Sequence, residues 1–470
     1  MAQAAARTID TAHKSHYAFD HGFPTTDAMR QAYDDADLNR AIQAYKFFYP
    51  TVSGAAIIRG NEQIGVIPNK VFGILECSSE QLLFTGNSDT PYGMVMLDLR
   101  IGPLVVELGP GSLIVCAMDV NQRWVADMGL PGPDAGKGGK HLLLPPDHTG
   151  PVPASGYYVH RTSSNRQVMG ARSLPVNGDV QGAKERLKTI KVYPFHDTPA
   201  WTEPQWLDVT GKFQDTTPVT FEDNIGYWEV LAKTVDAEPT YTGYHNYYGE
   251  LAALGIEKGK PFAPDARLRS ILEEAARVGN AQMRVQSFGD RRPERIVWKE
   301  RRWEWASLRF EDGDFNTNSH LDVEAREKWF YQAIAASPAM FRRDTNAGSL
   351  YWLGLRDREG AYLDGSQHYK LRVPLPVPGK LFWSVTVYDA DTRSQIQNRQ
   401  KKAALRSLFE LKDMTGSSVD LYFGPTATGG HASRWIQTVP GKGWFVYFRI
   451  YGPEGPAFDG SWKPGDFEHI

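Results

Sequence analysis

Residues 381–389 read LFWSVTVYD and residues 443–451 read GWFVYFRIY. Both runs are rich in β-branched and aromatic residues, and glycine, proline or aspartate bounds them, so each is expected to be a strand. Side chains alternate faces along a strand. One face of the first run presents Leu381, Trp383, Val385 and Val387, and the other Phe382, Ser384, Thr386 and Tyr388. In the second, Trp444, Val446, Phe448 and Ile450 oppose Phe445, Tyr447, Arg449 and Tyr451. Each strand therefore pairs a greasy face with one that carries hydroxyls, phenols or a guanidinium. Apolar walls with a few placed polar groups are how a binding cavity is lined.

Working outward, SLYWLGL (349–355), HYKLRVPL (368–375) and VDLYFG (419–424) continue the strand texture at the spacing of a β-sandwich. A second β-rich block covers about 55–175, with MVMLDLRIG, PLVVEL, SLIVCAMDV and YYVHRT as its clearest strands. There Val95, Leu97 and Leu99 form a core face, and Tyr92, Met94, Met96, Asp98 and Arg100 a semi-polar one. Residues 129–140, GLPGPDAGKGGK, read as a glycine-rich surface loop. Between the blocks, 182–345 turns helical: YWEVLAKTV, ELAALGI, LRSILEEAARVGNAQMRV and LDVEAREKWFYQAIA carry apolar residues at i, i+3, i+4. A shorter stripe, Leu38, Ile42, Tyr45 and Tyr49, predicts an N-terminal helix that Pro50 should stop. The expected fold is α+β and mainly β, with two antiparallel jelly-roll-like sandwiches joined by a helical connector. The expected divisions are 1–50 (helical), 51–185 (first β domain), 186–345 (connector) and 346–470 (second β domain).

Composition excludes several classes. The 470 residues are 41% hydrophobic and 23% charged, as in a soluble globular protein, and 52 basic against 55 acidic residues give a net charge of -3. That balance fits neither a basic nucleic-acid binder nor an acidic tail protein. No apolar run is long enough to span a membrane. Two cysteines, Cys77 and Cys116, with no CxxC pair, exclude a cysteine zinc site and read as buried thiols. The N-terminus MAQAAARTID lacks the basic and apolar regions of a signal peptide. It equally suits an exported chain whose leader was replaced by a start codon, so cytoplasm and periplasm both stay open.

Phosphate-loop, dinucleotide, nucleophile-elbow and zincin motifs are missing, and no cofactor or metal is expected. His320-Leu321-Asp322 with His368 has non-haem iron residues, but it opens a helix, which Ser319 could cap. RRPERIVWKERRWEW (291–305) reads as a structural strand with Val297, Arg301, Trp303 and Trp305 on one face. In YTGYHNYYG (241–249), Tyr241, Tyr244 and Tyr248 form one helical stripe suited to holding a ring. The turn Asn87-Ser88-Asp89-Thr90-Pro91-Tyr92 gathers a carboxylate, two hydroxyls and a phenol.

These motifs carry a resemblance. NSDTPYGMVMLDL, CAMDVNQRW, HLLLPP and VHRTSSNRQVMGARSL in the first block, and LDGSQHYKLRV, PGKLFWSVTVYD, SRWIQTVPGKGWFVYFRIYGP and DGSWKP in the second, resemble a two-module family of bacteria and algal viruses. Its halves are domains of unknown function numbered twelve fifty-four and twelve fourteen. The resemblance implies two jelly-roll-like domains and carries over the positions Asn87, Asp89, Thr90, Tyr92, Asp98, Asp119, Trp124, Arg161, Arg172, Trp383, Tyr388, Asp389, Arg449 and Tyr451. Arg434 before Trp435, and RQKKAALRS after Asn398, depart from the family pattern.

The expected function is a cofactor-independent hydrolase or lyase acting on a small glycosidic, ester or aryl-ether substrate in a cleft between the β domains. Its catalytic candidates are Asp89, Tyr92, Asp119, His160, Arg172, Tyr388 and Arg449, and its binding candidates Trp124, Tyr241, Tyr244, Tyr248, Trp383 and Tyr451. The competing expectation is a non-catalytic protein that binds carbohydrate or an envelope component, or assembles with itself.

Overall fold

The computed structural model describes residues 17–196, 199–309, 313–345, 348–427 and 429–470. Its class is α+β, with mixed sheets and, among the described residues, seven α-helices. In the N-terminal half a six-stranded sheet has the order 205–208, 71–75, 92–98, 166–173, 113–119, 124–129. A four-stranded sheet, 158–161, 139–144, 104–108, 191–194, faces it. Val95, Leu97, Val115 and Met169 of the first meet Leu104, Val106, Leu143 and Val192 of the second in one core. The C-terminal half repeats the plan. A five-stranded sheet (304–305, 349–354, 444–453, 379–389, 404–406) faces a four-stranded one (435–437, 418–424, 369–374, 467–469). Val385, Val387, Val446, Phe448 and Ile450 pack there against Leu371, Val373, Val419, Leu421 and Phe423. The alternating pattern of the sequence places these faces correctly.

The sheets are not purely antiparallel, as the sequence had suggested. Strands 158–161 and 139–144 pair parallel, as do 205–208 with 71–75 and 435–437 with 418–424. A parallel partner needs a long crossover, and residues 145–157 supply one. Strands 191–194 and 205–208 join the N-terminal sheets, so the helices of the middle region proper start at Ile225.

The first helix runs Thr26–Gln63, capped by Thr25, with Pro50 inside it. Proline in a helix interior costs about 3 kcal/mol. Burial on both sides of the proline outweighs that. Ala41, Tyr45, Phe47 and Phe48 pack before it and Val52 and Ala56 after it, against Tyr227, Trp228, Leu251 and Leu272 of the middle helices. Farther along, a Cβ at Gly54 would lie 2.1 Å from the Val120 carbonyl oxygen and one at Gly60 2.2 Å from that of Asp215, so only glycine lets the helix approach the N-terminal sheets this closely. Two local expectations also fail. The cap of helix Val323–Gln332 is Asp322, which accepts from the Ala325 amide and from Arg309, while Ser319 turns to His320. His368 bonds Thr426 instead of joining them. Residues 291–303 form a 3-10 turn and coil, with only Glu304–Trp305 in a strand, because Trp298 and Trp303 are drawn into the C-terminal core. Both cysteines are free. No described helix is long and apolar enough to cross a membrane.

Candidate functional site

The six-stranded and five-stranded sheets turn their second faces toward each other across a cavity of about 1040 Å³. Strand alternation decides what enters it. From 92–98 come Tyr92, Met94 and Met96, from 113–119 Ile114, Cys116 and Met118, and from 166–173 Val168, Gly170 and Arg172. The C-terminal sheet supplies Tyr351, Tyr447 and Arg449. Ile57 and Asn61 of the long helix, and residues around 334–340, close the sides.

Polar groups gather where the halves meet. The turn 87–92 docks on the C-terminal sheet. Asn87 Nδ2 donates to the Tyr451 hydroxyl at 2.8 Å, which also accepts from Arg172 Nη1 at 3.2 Å and donates to Asp89 Oδ2 at 3.3 Å. Ser384 Oγ donates to the same carboxylate oxygen at 2.8 Å. Tyr388 donates to the Gly86 carbonyl at 2.8 Å and Arg449 Nη2 to that of Thr85 at 2.7 Å. Asp89, Tyr92, Arg172, Tyr388, Arg449 and Tyr451 are thus brought together, although the ends of this set, Asp89 and Tyr451, are 362 positions apart in the chain. Tyr92, Arg172 and Arg449 line the cavity, while Asp89, Tyr388 and Tyr451 stand behind its wall.

The remaining candidates lie elsewhere or play other parts. Asp119 is buried with Ser163 and the Arg123 amide, outside the cavity lining. Burial pushes its pKa up to about 6 against the pull of Ser163 and Arg123. His160 reaches the cavity rim from an edge strand, and its Nε2 is 3.1 Å from His141 Nδ1, with His141 Nε2 3.3 Å from Asp134. Burial, and then His141, push the His160 pKa down to about 4, so this imidazole is neutral near pH 7. Trp124 lines the wall. Trp383 does not, because strand period two turns it into the C-terminal core, stacked on Phe448 at 5.5 Å. The tyrosine stripe is also away from the cavity. Tyr244 and Tyr248 pack on Phe47 and Phe48 of the long helix, and Tyr241 lies under Arg123 at 3.9 Å.

Asp127 was missed by sequence reasoning. It is the one carboxylate on the cavity wall among the described residues. Antiparallel pairing sets it opposite Cys116, and only that register reveals the pairing. Burial raises its pKa to about 6, against groups of Ser337, Ala339, Trp124 and Cys116 that turn toward it. Burial also raises the Cys116 thiol, with Asp127 adding to the rise, so the thiol stays protonated and a poor nucleophile. Tyr351 and Tyr447 were missed too, although Tyr447 shares the polar face read from 445–451.

The model of a domain described as a protein of unknown function, DUF1254, matches residues 73–194, and that of a second such domain, DUF1214, matches residues 348–455. No curated protein matches. A crystal structure of a Vibrio parahaemolyticus protein is similar in fold, with a TM-score of 0.57 at 18% identity, over 92% of this chain and 100% of that one. A putative uncharacterized protein of Burkholderia cenocepacia aligns over 94% and 96% of the two chains at 11% identity, but its TM-score of 0.34 supports no argument. The matched segments lie in the two β-rich halves that wall the cavity, and the chain thus carries two domains of unknown function in a two-module arrangement, DUF1254 N-terminal and DUF1214 C-terminal.

Proposed function

We propose that the protein is a cofactor-independent hydrolase or lyase acting on a small, largely apolar molecule held between its two β-rich halves. The observation that carries this reading is Asp127, a carboxylate with a pKa near 6 on the wall of a large, mostly apolar cavity. A group poised near neutrality suits proton abstraction or donation. Tyr92, Tyr447, Arg172 and Arg449 are the groups that would meet negative charge developing on a substrate oxygen. Glycosidases ordinarily need two carboxylates across the scissile bond, so a single one on the wall favours an ester or aryl ether over a glycoside. We read each β-rich half as a jelly-roll-like sandwich, with the helices from Ile225 to Phe341 as the connector between 51–185 and 346–470.

The test is a panel of 4-nitrophenyl esters, aryl ethers and aryl glycosides. Turnover is expected with one of the first two groups. It should rise with pH through an apparent pKa near 6, and Asp127→Asn should lower kcat at least a hundredfold. Binding of panel members with no turnover of any would sink the catalytic reading. It would leave the second one, a binding protein for a carbohydrate or envelope component, which the scarcity of carboxylates on the wall favours.

A further inference from the structure

Arg449 is 2% exposed, and two of its three guanidinium nitrogens, Nε and Nη1, have no hydrogen-bond partner. The third bonds the Thr85 carbonyl. The ring faces of Tyr351, Tyr388 and Tyr447 surround the group at 5.0–5.6 Å. Arg172, half-buried on the facing six-stranded sheet, makes one side-chain bond, to the Tyr451 hydroxyl. Among the described residues neither guanidinium forms an ion pair. The Tyr447 hydroxyl is buried beside them and also lacks a partner.

An arginine keeps its charge inside a protein. A buried charge left without a counter-charge or full hydrogen bonding is costly. Here Arg449 and Tyr447, which carry the unpartnered donors, line the cavity, where a ligand can supply what the fold withholds. Beside Arg172 on the six-stranded sheet lie its cross-strand partner Ile114 and Met94, Met96 and Met118, an apolar surface that adapts to the shape laid on it. Two guanidiniums face one nearby carboxylate, Asp89, already bonded to Ser384 and Tyr451. Within this cluster one positive charge remains uncompensated, Asp127 lying outside it opposite Cys116, and a single carboxylate balances that charge where a phosphate dianion would exceed it. A planar carboxylate also suits the guanidinium fork.

We propose that this cavity takes an amphipathic carboxylic acid, its carboxylate on Arg449 and Arg172 and its apolar body along the methionine wall. The proposal rests on reading the cavity as the ligand site, and it names the substrate class.

Calorimetric titration of the full chain with 4-butylbenzoate, 4-butylbenzamide and 4-butylphenyl phosphate tests it. The benzoate should bind at least about tenfold more tightly than the amide and more tightly than the phosphate. Arg449→Met should abolish the preference over the amide while amide binding, as the check on folding, persists. Tyr447→Phe, which conserves volume, should weaken benzoate binding severalfold and tests the same end of the cavity if the arginine variant does not fold. A benzoate that binds no better than the amide, including no binding of either, overturns the proposal. So does a preference that survives in Arg449→Met, and tighter binding of the phosphate overturns the carboxylate class. Benzoate preference without turnover of any panel member keeps this inference and removes the hydrolase, whereas turnover of neutral esters with no carboxylate preference does the reverse.

Discussion

Arg393 and Arg449 are almost equally buried, at 1% and 2% exposure, yet they are treated differently by the fold. Both terminal nitrogens of Arg393 bond the Glu222 carboxylate, at 2.6 and 2.9 Å, and Tyr49 and Tyr331 add their hydroxyls. Lys328, also buried, meets both Asp290 and Glu304. These cations sit where the helices meet the β-rich halves, and each is neutralised by the chain itself. Arg449 sits at the cavity and receives one carbonyl. The contrast separates charges that hold the halves together from a charge left open toward a ligand.

The strongest way to break the comparison is Glu222→Gln. Removing one partner of a buried pair leaves the other uncompensated, and the expected loss is about 3–5 kcal/mol in urea unfolding. A loss below about 1 kcal/mol would show that Arg393 is no better neutralised than Arg449. Next comes Asp127. Its folded pKa, about 6, lies above its ordinary value of 3.8, so the folded state holds the proton more tightly. That contribution to stability is fully present below pH 4 and is lost as pH rises through 6. Asp127→Asn stays neutral throughout. It should match the wild type near pH 4 and exceed it by about 3 kcal/mol at pH 8, read from urea midpoints at the two pH values.

Arg449→Met should change stability by less than about 1 kcal/mol, or raise it, because an apolar side chain replaces an unpaired buried charge. A loss as large as that of Glu222→Gln would make the two arginines equivalent and end the distinction. The smallest effect belongs to Tyr241→Phe, expected within about 0.5 kcal/mol of the wild type. It should leave 4-butylbenzoate binding unchanged, since Tyr241 lies under Arg123 away from the cavity. A shift in that affinity would bring the tyrosine stripe back into the site.

Much of this was legible in the sequence where a local rule applies. Strand alternation alone placed Val385, Val387, Phe448 and Ile450 inward, and Tyr447 and Arg449 on the other face. The same rule, consistently applied, removes Trp383 from the site. The body of the helix Ala266–Phe288 follows from the period of LRSILEEAARVGNAQMRV, while its cap, Asp265, was not read from the sequence. Pro50 misled because proline's cost is local, whereas the packing that overrides it comes from helices about 180 to 230 residues later.

By itself, the sequence determined which residues are core and which are polar-faced, because a two- or 3.6-residue period is a property of neighbouring residues. It also determined the two β-rich blocks and the helical run between them. Tertiary structure alone decided that Asp127 faces Cys116, that Asp89 and Tyr451 meet across the chain, and that no carboxylate reaches Arg449 within ion-pair distance among the described residues. Those are facts of register and of the docking of distant segments. The energy of a buried charge depends on what lies within a few ångströms of it in space, and nothing in the order of residues along the chain fixes that distance.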